Sequence, residues 1–312
     1  MAIVPQLFRE RKISMIYDII VIGGGPAGLT AAVYARRANK TVLVMEKGTF
    51  GGQITSSPKV ENIPGFVSIS GNEFGEVLMG QAMELGAEVE CLEALSVTDG
   101  EIKTVTTDDG DYQARAVIVA TGTKHRLLGL EREEDFIGNG ISFCAVCDGA
   151  FYADKTVAVI GGGNSALQEA ILLSKTCEKV YVVQNLDYFT GEEKLIEELK
   201  ATQNIVPITG ATVAELLGED ELSGIKIRRG EELEELKIDG MFTAIGLIPQ
   251  NEIFASLIKL NDYGYVDSGE DCLTTAAGIF VAGDCRSKRI RQVATAAADG
   301  AVAALAACDY LK

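Results

Sequence analysis

Residues 17–46 read YDIIVIGGGPAGLTAAVYARRANKTVLVME, and this stretch decides the fold. Tyr17–Ile22 is a short apolar run, the pattern of a strand buried on both faces. It runs into Gly23-Gly24-Gly25-Pro26-Ala27-Gly28, where glycine and proline stop the strand. Ala27–Ala38 then reads as a helix, and Thr41–Met45 as a second buried strand ending at Glu46. Gly23-x-Gly25-x-x-Gly28 has the spacing a pyrophosphate requires: a tight turn, a backbone open to the anion, and a helix packed close on the strand. Free N–H groups and the dipole at that helix N-terminus favour negative charge. Glu46, about 20 residues on, is placed to accept from ribose hydroxyls. The glycine spacing alone also arises for packing; strand, helix and acid together point to dinucleotide binding.

Outward from this unit, Phe74, Val77, Leu78, Ala82 and Leu85 share one face at helical spacing and predict a helix over Gly71–Gly86. Strands are expected near Val89–Leu92, Leu95–Thr98 and Ile102–Thr106, with a hairpin turn at Asp99-Gly100. Ala116–Ala120 is another buried strand, ending in Thr121-Gly122. The pattern restarts at Thr156–Ile160 with Gly161-x-Gly163-x-x-Ala166, a fingerprint whose last position tolerates alanine. A helix over Ala166–Ser174, a strand over Lys179–Val183, a helix over Glu192–Gln203, and strands near Gly224–Arg228 and Gly240–Ala244 complete this second unit. Gly278–Ala282 is a strand ending at Gly283-Asp284, and an Ala-rich helix, about Gln292–Leu311, follows. That last segment has no glycine turn of its own, so it is expected to return to the first domain. The fold expected is α/β, with two nucleotide-binding, Rossmann-like domains, the second inserted into the first. Residues 1–121 and 246–312 would form one domain and residues 122–245 the other.

An acid after the strand Lys179–Val183 would suit an NADH ribose, and arginines would suit the 2′-phosphate of NADPH. The chain offers Gln184-Asn185-Leu186-Asp187-Tyr188-Phe189-Thr190, with neither an acid at the strand end nor an arginine. A nicotinamide site and a retained scaffold both stay open. Cys144-Ala145-Val146-Cys147, followed by Asp148, carries different chemistry. Two thiols at this spacing can close a disulfide, and the geometry lowers one thiol's pKa so that a thiolate can attack. Asp148 could move the protons that exchange requires. Zinc would want a second ligand pair at similar spacing. The other cysteines (Cys91, Cys177, Cys272, Cys285, Cys308) stand singly, and His125 is the sole histidine. No metal site is expected; two inert core cysteines are the remaining alternative. His125, between Lys124 and Arg126, reads as an exposed loop residue, and Cys285 as packing. Tyr188 and Phe189 could stack on a flavin or simply fill core or surface.

The bulk numbers exclude some classes. A chain of 312 residues can bury a large core and hold two domains. Its net charge of −17 argues against non-specific nucleic-acid binding. No apolar run reaches the ~18 residues that a membrane helix needs. Residues 1–14 lack the apolar core of a secretory signal. Seven cysteines, an odd number, suit mostly reduced thiols and a cytoplasmic protein.

With its three motifs in this order, the chain resembles the low-molecular-weight flavoprotein thioredoxin reductases from about Tyr17 onward. Gly51-Gly52-Gln53, Glu61-Asn62-Ile63-Pro64-Gly65, Ala120-Thr121-Gly122, Cys144–Gly149, Val281-Ala282-Gly283-Asp284 and Arg291-Gln292-Val293-Ala294 carry the resemblance. It implies FAD held by Gly23, Gly25, Gly28, Glu46, Gln53, Asn62, Thr121, Gly122, Asp284, Arg291, Gln292 and Ala294. It also implies a homodimer, and thioredoxin or a thioredoxin-like protein as partner. In the catalytic set Cys144, Cys147 and Asp148, Cys147 would lie nearer the flavin, Cys144 would attack the partner disulfide, and Asp148 would donate and accept protons.

NADPH-using members carry His-Arg-Arg, then a further Arg, where this chain has Gln184, Asn185, Leu186 and Thr190. Each lost arginine removes a charge-assisted contact of ~1.5–3 kcal/mol. On this point the chain resembles better the ferredoxin-dependent flavin thioredoxin reductases. Reduced ferredoxin is therefore the donor expected first, with the basic stretch Arg286-Ser287-Lys288-Arg289-Ile290-Arg291 as its docking patch. An NADPH-dependent reductase is the alternative, with Lys175 or Lys194 as substitute phosphate contacts. A flavin disulfide oxidase using oxygen and a non-enzymatic electron-transfer module are the others.

Overall fold

The computed structural model describes residues 15–57 and 59–312. Residues 1–14, where no secretory signal is expected, lie outside them. In chain order the elements are β1 (Ile16–Ile22), α1 (Pro26–Arg37), β2 (Val42–Glu46), α2 (Gly71–Glu84), β3 (Glu88–Cys91), β4 (Ala94–Thr98), β5 (Lys103–Thr107) and β6 (Gly110–Val119). After β7 (Thr123–His125) come β8 (Ile141–Ser142), α3 (Ala145–Asp148), β9 (Thr156–Ile160), α4 (Asn164–Leu173), β10 (Lys179–Gln184) and α5 (Glu193–Ala201). Then follow β11 (Ile205–Thr209), β12 (Thr212–Leu217), β13 (Gly224–Arg229), β14 (Glu232–Lys237) and β15 (Gly240–Thr243). The chain ends with β16 (Leu247–Pro249), β17 (Ile279–Val281) and α6 (Val293–Tyr310). Two compact units result: residues 59–62 and 125–247 make the second, and the remaining described residues the first.

The first unit is built on a sheet of order β3-β2-β1-β6-β5-β4, with β17 also paired to β6. β1 pairs in parallel with β2 (Ile19 opposite Val42) and with β6 (Ile19 opposite Ala116). The successive side chains of β1 alternate between two cores. Ile19 and Val21 meet Leu29, Ala32 and Ala304 from the helices; Tyr17 and Ile20 meet Leu43, Val105 and Phe254 on the other face. Apolarity on both faces is why the strand reads as an unbroken apolar run. Pro26 starts α1, where its missing N–H costs nothing, and Arg36 and Arg37 lie in the last turn near the orphan carbonyls. α6 lies against α1 so closely that a Cβ on Gly300 would come 2.1 Å from the Ala27 carbonyl oxygen.

The second unit has a sheet of order β11-β10-β9-β15-β8 and a three-stranded antiparallel sheet, β12-β13-β14. One face of the larger sheet packs Val157, Val159 and Phe242 against Leu167 and Ala170 of α4 and Ala145 of α3. The other packs Ala158, Ile160 and Met241 against Ile225 and Ile227 of the smaller sheet. In both units the strand order reverses beside the strand that precedes a glycine turn, between β1 and β6 and between β9 and β15. Ligands of open α/β sheets bind at such switch points, beyond the carboxyl ends of the strands.

Candidate functional site

In the first unit, four chain segments converge on the glycine turn after β1. Gly23 has φ +115°, and a Cβ there would lie 2.2 Å from the Ala120 carbonyl oxygen at the end of β6. A Cβ on Gly28 would lie 1.9 Å from the Gly23 carbonyl oxygen, so α1 packs onto the turn only because residue 28 has no side chain. At Gly25, by contrast, the nearest atoms to such a Cβ are 3.9 Å away, an ordinary contact, so the protein itself does not crowd this position. Gly51 N–H donates to the Gly24 carbonyl (2.8 Å), which lays Gly51–Gln53 beside the turn. Glu46 accepts from the Gly24 and Gly48 N–H groups (both 2.7 Å), so its carboxylate is fixed at the end of β2.

The other wall follows β6 and β17. Thr121 Oγ1 donates to Asn251 Oδ1 (3.0 Å), and the Asn251 amide donates to the carbonyls of Gly264 and Cys285 (2.9 and 2.8 Å). Asp284, after β17, carries a buried Oδ1 with no partner among the described residues. Burial pushes its carboxyl above the usual carboxylate range, against the pull of Lys288 and Arg291. Arg291 donates to the Asp284 carbonyl (3.3 Å) and lies over the Tyr265 ring. Gln292 caps α6 in a reciprocal box with Thr295, and Ala294 sits in the first turn. Residues 59–62 group with the second unit, where Asn62 Nδ2 lies 3.9 Å from Cys147 Sγ.

The stretch Arg286–Arg291 is not the open basic patch expected. Arg286 and Lys288 side chains are 3% and 6% exposed, and both bind the buried Asp299 of α6. Arg286 makes a two-pronged contact (2.9 Å twice), Lys288 adds another (2.8 Å), and the Gly283 N–H a fourth (3.0 Å). These cations brace the loop that carries Asp284, and against the upward push of burial they lower the Asp299 carboxyl below its ordinary value. Of the basic residues in this stretch only Arg289 is exposed.

In the second unit, Cys144 and Cys147 form a disulfide across α3, with Cα atoms 5.3 Å apart. Cys144 is the helix N-cap, and its sulfur accepts from Cys147 N–H (3.2 Å). Val146, between them, is 63% exposed. Ser142 at the end of β8 links the pair to the acid beside it. Its hydroxyl donates to Asp148 Oδ2 (2.5 Å) and accepts from Cys144 N–H (3.1 Å). Asp148 Oδ1 is buried and unpartnered, and burial raises the carboxyl above the ordinary range although Ser142 opposes this. Behind α3, Glu169 on α4 carries a buried Oε2 with no partner among the described residues, and burial pushes its carboxyl up to about 7.

Sequence reasoning missed Ser142, Asn251 and Glu169. Glu169 left a signal: it falls on the same helical stripe as the buried Ala166, Ala170 and Leu173. Ser142 and Asn251 left none, since a short strand and a loop bring them into place. His125 is not the exposed loop residue expected: its ring stacks on Phe143 (centroids 4.2 Å apart), and burial lowers its pKa to about 4. Cys285 is fully buried. Phe189 joins the core of the second unit, and Tyr188 is exposed.

The second glycine turn keeps the shape of the first. A Cβ on Gly161 would lie 2.5 Å from the Ala244 carbonyl oxygen, while at Gly163 the nearest atom, Thr190 Oγ1, is 3.8 Å away. The loop after β10 folds over this turn. Thr190 and Gly191 N–H groups donate to the Gly162 carbonyl (2.8 and 3.1 Å), and Asn164 exchanges hydrogen bonds with Glu192 (2.7 and 3.0 Å). Gln184 is buried and bonds within its own loop, to Asn185 and Tyr188. Lys194 lies in the first turn of α5, near this cradle. Lys175 follows the far end of α4, about 15 Å along the axis from the turn, which removes it as a phosphate contact.

Residues 17–300 match the model of the family described as pyridine nucleotide-disulphide oxidoreductase. The chain belongs to that family. Within this oxidoreductase family its curated relatives include the "Thioredoxin reductase" of Listeria monocytogenes, 40% identical over 301 residues, covering 95% of this chain and 94% of the relative. That of Bacillus subtilis is 39% identical over 302 residues, covering 95% of each chain. Among solved structures, thioredoxin reductase from Streptococcus pyogenes superposes with a TM-score of 0.91 at 36% identity, covering 95% of this chain and 98% of that one. The oxidoreductase is thus a homologue of the low-molecular-weight thioredoxin reductases, with their two Rossmann-like domains. Among the described residues, no helix is long and apolar enough to cross a membrane, and no cluster of His, Cys, Asp or Glu could hold a metal ion.

Proposed function

We propose that the protein is an FAD-dependent thioredoxin-disulfide reductase, acting through Cys144, Cys147 and Asp148. The observation that carries this reading is the closed Cys144–Cys147 bond at the head of α3, joined through Ser142 to a buried carboxyl. The first unit's cradle fits FAD: an uncrowded backbone at Gly25, a fixed carboxylate at Glu46, and the orphaned Asp284 Oδ1 suited to a hydroxyl donor. Gly23, Gly28, Gln53, Asn62, Thr121, Gly122, Arg291, Gln292 and Ala294 would complete the set. Bound there, FAD would supply a two-electron carrier. A homodimer and a cytoplasmic setting belong to the same reading.

Reduction of the pair breaks the Cys144–Cys147 bond and takes up two electrons and two protons. Cys147 is the sulfur that receives the electrons, and Cys144 leaves as a thiolate. Asp148, held toward its protonated form by burial, gives that thiolate its proton. In the return half, Asp148 takes the proton back and Cys144 attacks the thioredoxin disulfide, forming a mixed disulfide. Cys147 then attacks Cys144 sulfur, which recloses the pair and releases the dithiol.

For the donor, family membership supports a reduced pyridine nucleotide over reduced ferredoxin. A second reading, ferredoxin, draws on one observation: Gln184–Thr190 brings no cation to the second glycine turn. Anaerobic bleaching of the flavin near ~450 nm with NADPH, NADH and reduced ferredoxin separates the two. In the Cys147→Ser variant, the donor should still bleach the flavin while thioredoxin reduction falls at least ~1000-fold, as for loss of a reacting group. Undiminished turnover in that variant would sink the reading.

A further inference from the structure

Ser142 joins the residue that loses a bond to the acid that supplies a proton, and the reaction above gives it no role. It ends β8 and is buried. Its oxygen accepts the Cys144 N–H (3.1 Å), and its hydroxyl donates to Asp148 Oδ2 (2.5 Å). The amide orients the hydroxyl: a lone pair of the oxygen faces the Cys144 N–H, so the hydrogen is turned to the carboxyl. A carboxyl oxygen that accepts a hydroxyl at this distance has no room for a proton on that side, because two hydrogens would face each other. Asp148 Oδ1, by contrast, is buried and has no hydrogen-bond partner among the described residues. Buried polar atoms are nearly always paired, and an exception calls for an account. Here the reaction itself makes the missing partner, the thiolate that forms when the Cys144–Cys147 bond breaks.

We propose that Ser142 is a positioning residue that occupies Asp148 Oδ2 and so leaves the exchangeable proton on Oδ1, the oxygen that serves the sulfur. This rests on the reading of Asp148 as the proton donor. As the S–S bond breaks, its electron pair stays on the Cys144 sulfur and the Oδ1 proton passes to it. The carboxylate left behind still accepts from Ser142 through Oδ2, and in the return half the proton comes back to Oδ1. The same hydrogen bond favours the carboxylate and opposes burial, which raises the carboxyl. The titratable groups on the segments about α3 are Tyr152 in the helical turn after it, Glu169 on α4, His125 stacked on Phe143, and Lys59 over the Phe151 ring (5.0 Å). β15, which pairs with β8, carries none. None of these groups is among the influences on Asp148, which are burial and Ser142.

The test is infrared spectroscopy of the whole oxidised flavoprotein from about pH 4 to about pH 9, a range that spans a raised carboxyl. Subtracting the Asp148→Asn spectrum isolates the bands of Asp148. Neither donor nor thioredoxin takes part, so a protein inactive with every donor still gives the result. In the wild type the protonated carboxyl should show a C=O stretch lowered by a hydrogen bond, because Oδ2 is then the carbonyl oxygen and Ser142 donates to it. In Ser142→Ala that band should move up to the position of a free carbonyl. The midpoint of its titration should rise by about one pH unit, as for loss of a hydrogen bond to a charged group. Ser142→Thr keeps the hydroxyl and should return both to the wild-type values. A merely structural role would move the midpoint the other way, since a loosened site admits water and lets the carboxyl fall toward its ordinary value. A midpoint that falls or stays in Ser142→Ala overturns the proposal. An unmoved C=O band also overturns it, since the proton would then sit on Oδ2. Should the Ala variant not fold, the wild-type band decides alone: a C=O stretch at the free position overturns the proposal.

Discussion

Lys124-His125-Arg126 looks solvent-bound because both neighbours are charged, yet the ring between them stacks on Phe143 at an interplanar angle of 14°. The packing accepts a neutral imidazole, and burial lowers the pKa to about 4 from 6.5. The sign of the linkage follows. A folded-state pKa below the unfolded one gives stability that is present above pH 6.5 and is lost as pH falls through 4. The full shift corresponds to about 3 kcal/mol as an order of magnitude. His125→Phe keeps a ring that can stack and cannot titrate. Its urea midpoint should therefore fall less than that of the wild type between pH 6.5 and pH 4. His125 is the sole histidine, so its ring-proton NMR signal needs no assignment by mutation. A signal titrating near pH 6.5 would contradict the buried, stacked placement.

At the scale of elements, the loop before α6 holds two buried cations on one buried carboxylate. Asp299→Asn would leave Arg286 and Lys288 without that charge. Breaking such a group from one side costs roughly 3–5 kcal/mol, so the urea midpoint should fall steeply. The Asp284 loop should loosen with it, and gel filtration should recover more flavin-free protein; an unchanged midpoint and full flavin retention would refute this role. The basic run at 286–291 was legible in the sequence, but its neutralisation by Asp299 was not, because the partner arrives from the helix. The glycine turns and their feeding strands were legible for a local reason: buried parallel strands and close-approach glycines leave contiguous marks. β14, reading ELEELK, shows no alternation and only Leu236 buried; its pairing with β13 makes it a strand. β11 carries Pro207, which an edge position tolerates since that residue has no N–H to pair. α3 is four residues long, too short for any periodicity to register.

For the whole molecule, membership in a pyridine nucleotide-disulphide family and the missing arginines agree once scaffold and clamp are separated. The second unit keeps the close contact of Gly161 with Ala244 and the uncrowded backbone at Gly163, which are the features a pyrophosphate needs. What it lacks is cations for a 2′-phosphate: Asn185, Leu186 and Thr190 occupy the exposed positions after β10. Restoring them should therefore act on NADPH and not on NADH. In the Asn185→Arg, Leu186→Arg double variant, each guanidinium can supply about 1.5–3 kcal/mol to a phosphate. NADPH should bind at least about a hundredfold tighter than to the wild type, read by calorimetric titration of the oxidised protein. NADH, having no 2′-phosphate, should be nearly unaffected. Equal tightening of both nucleotides would mean a non-specific gain of positive charge. No tightening of either would mean that nucleotide does not occupy this cradle, and electrons would then have to reach the flavin from a donor such as ferredoxin.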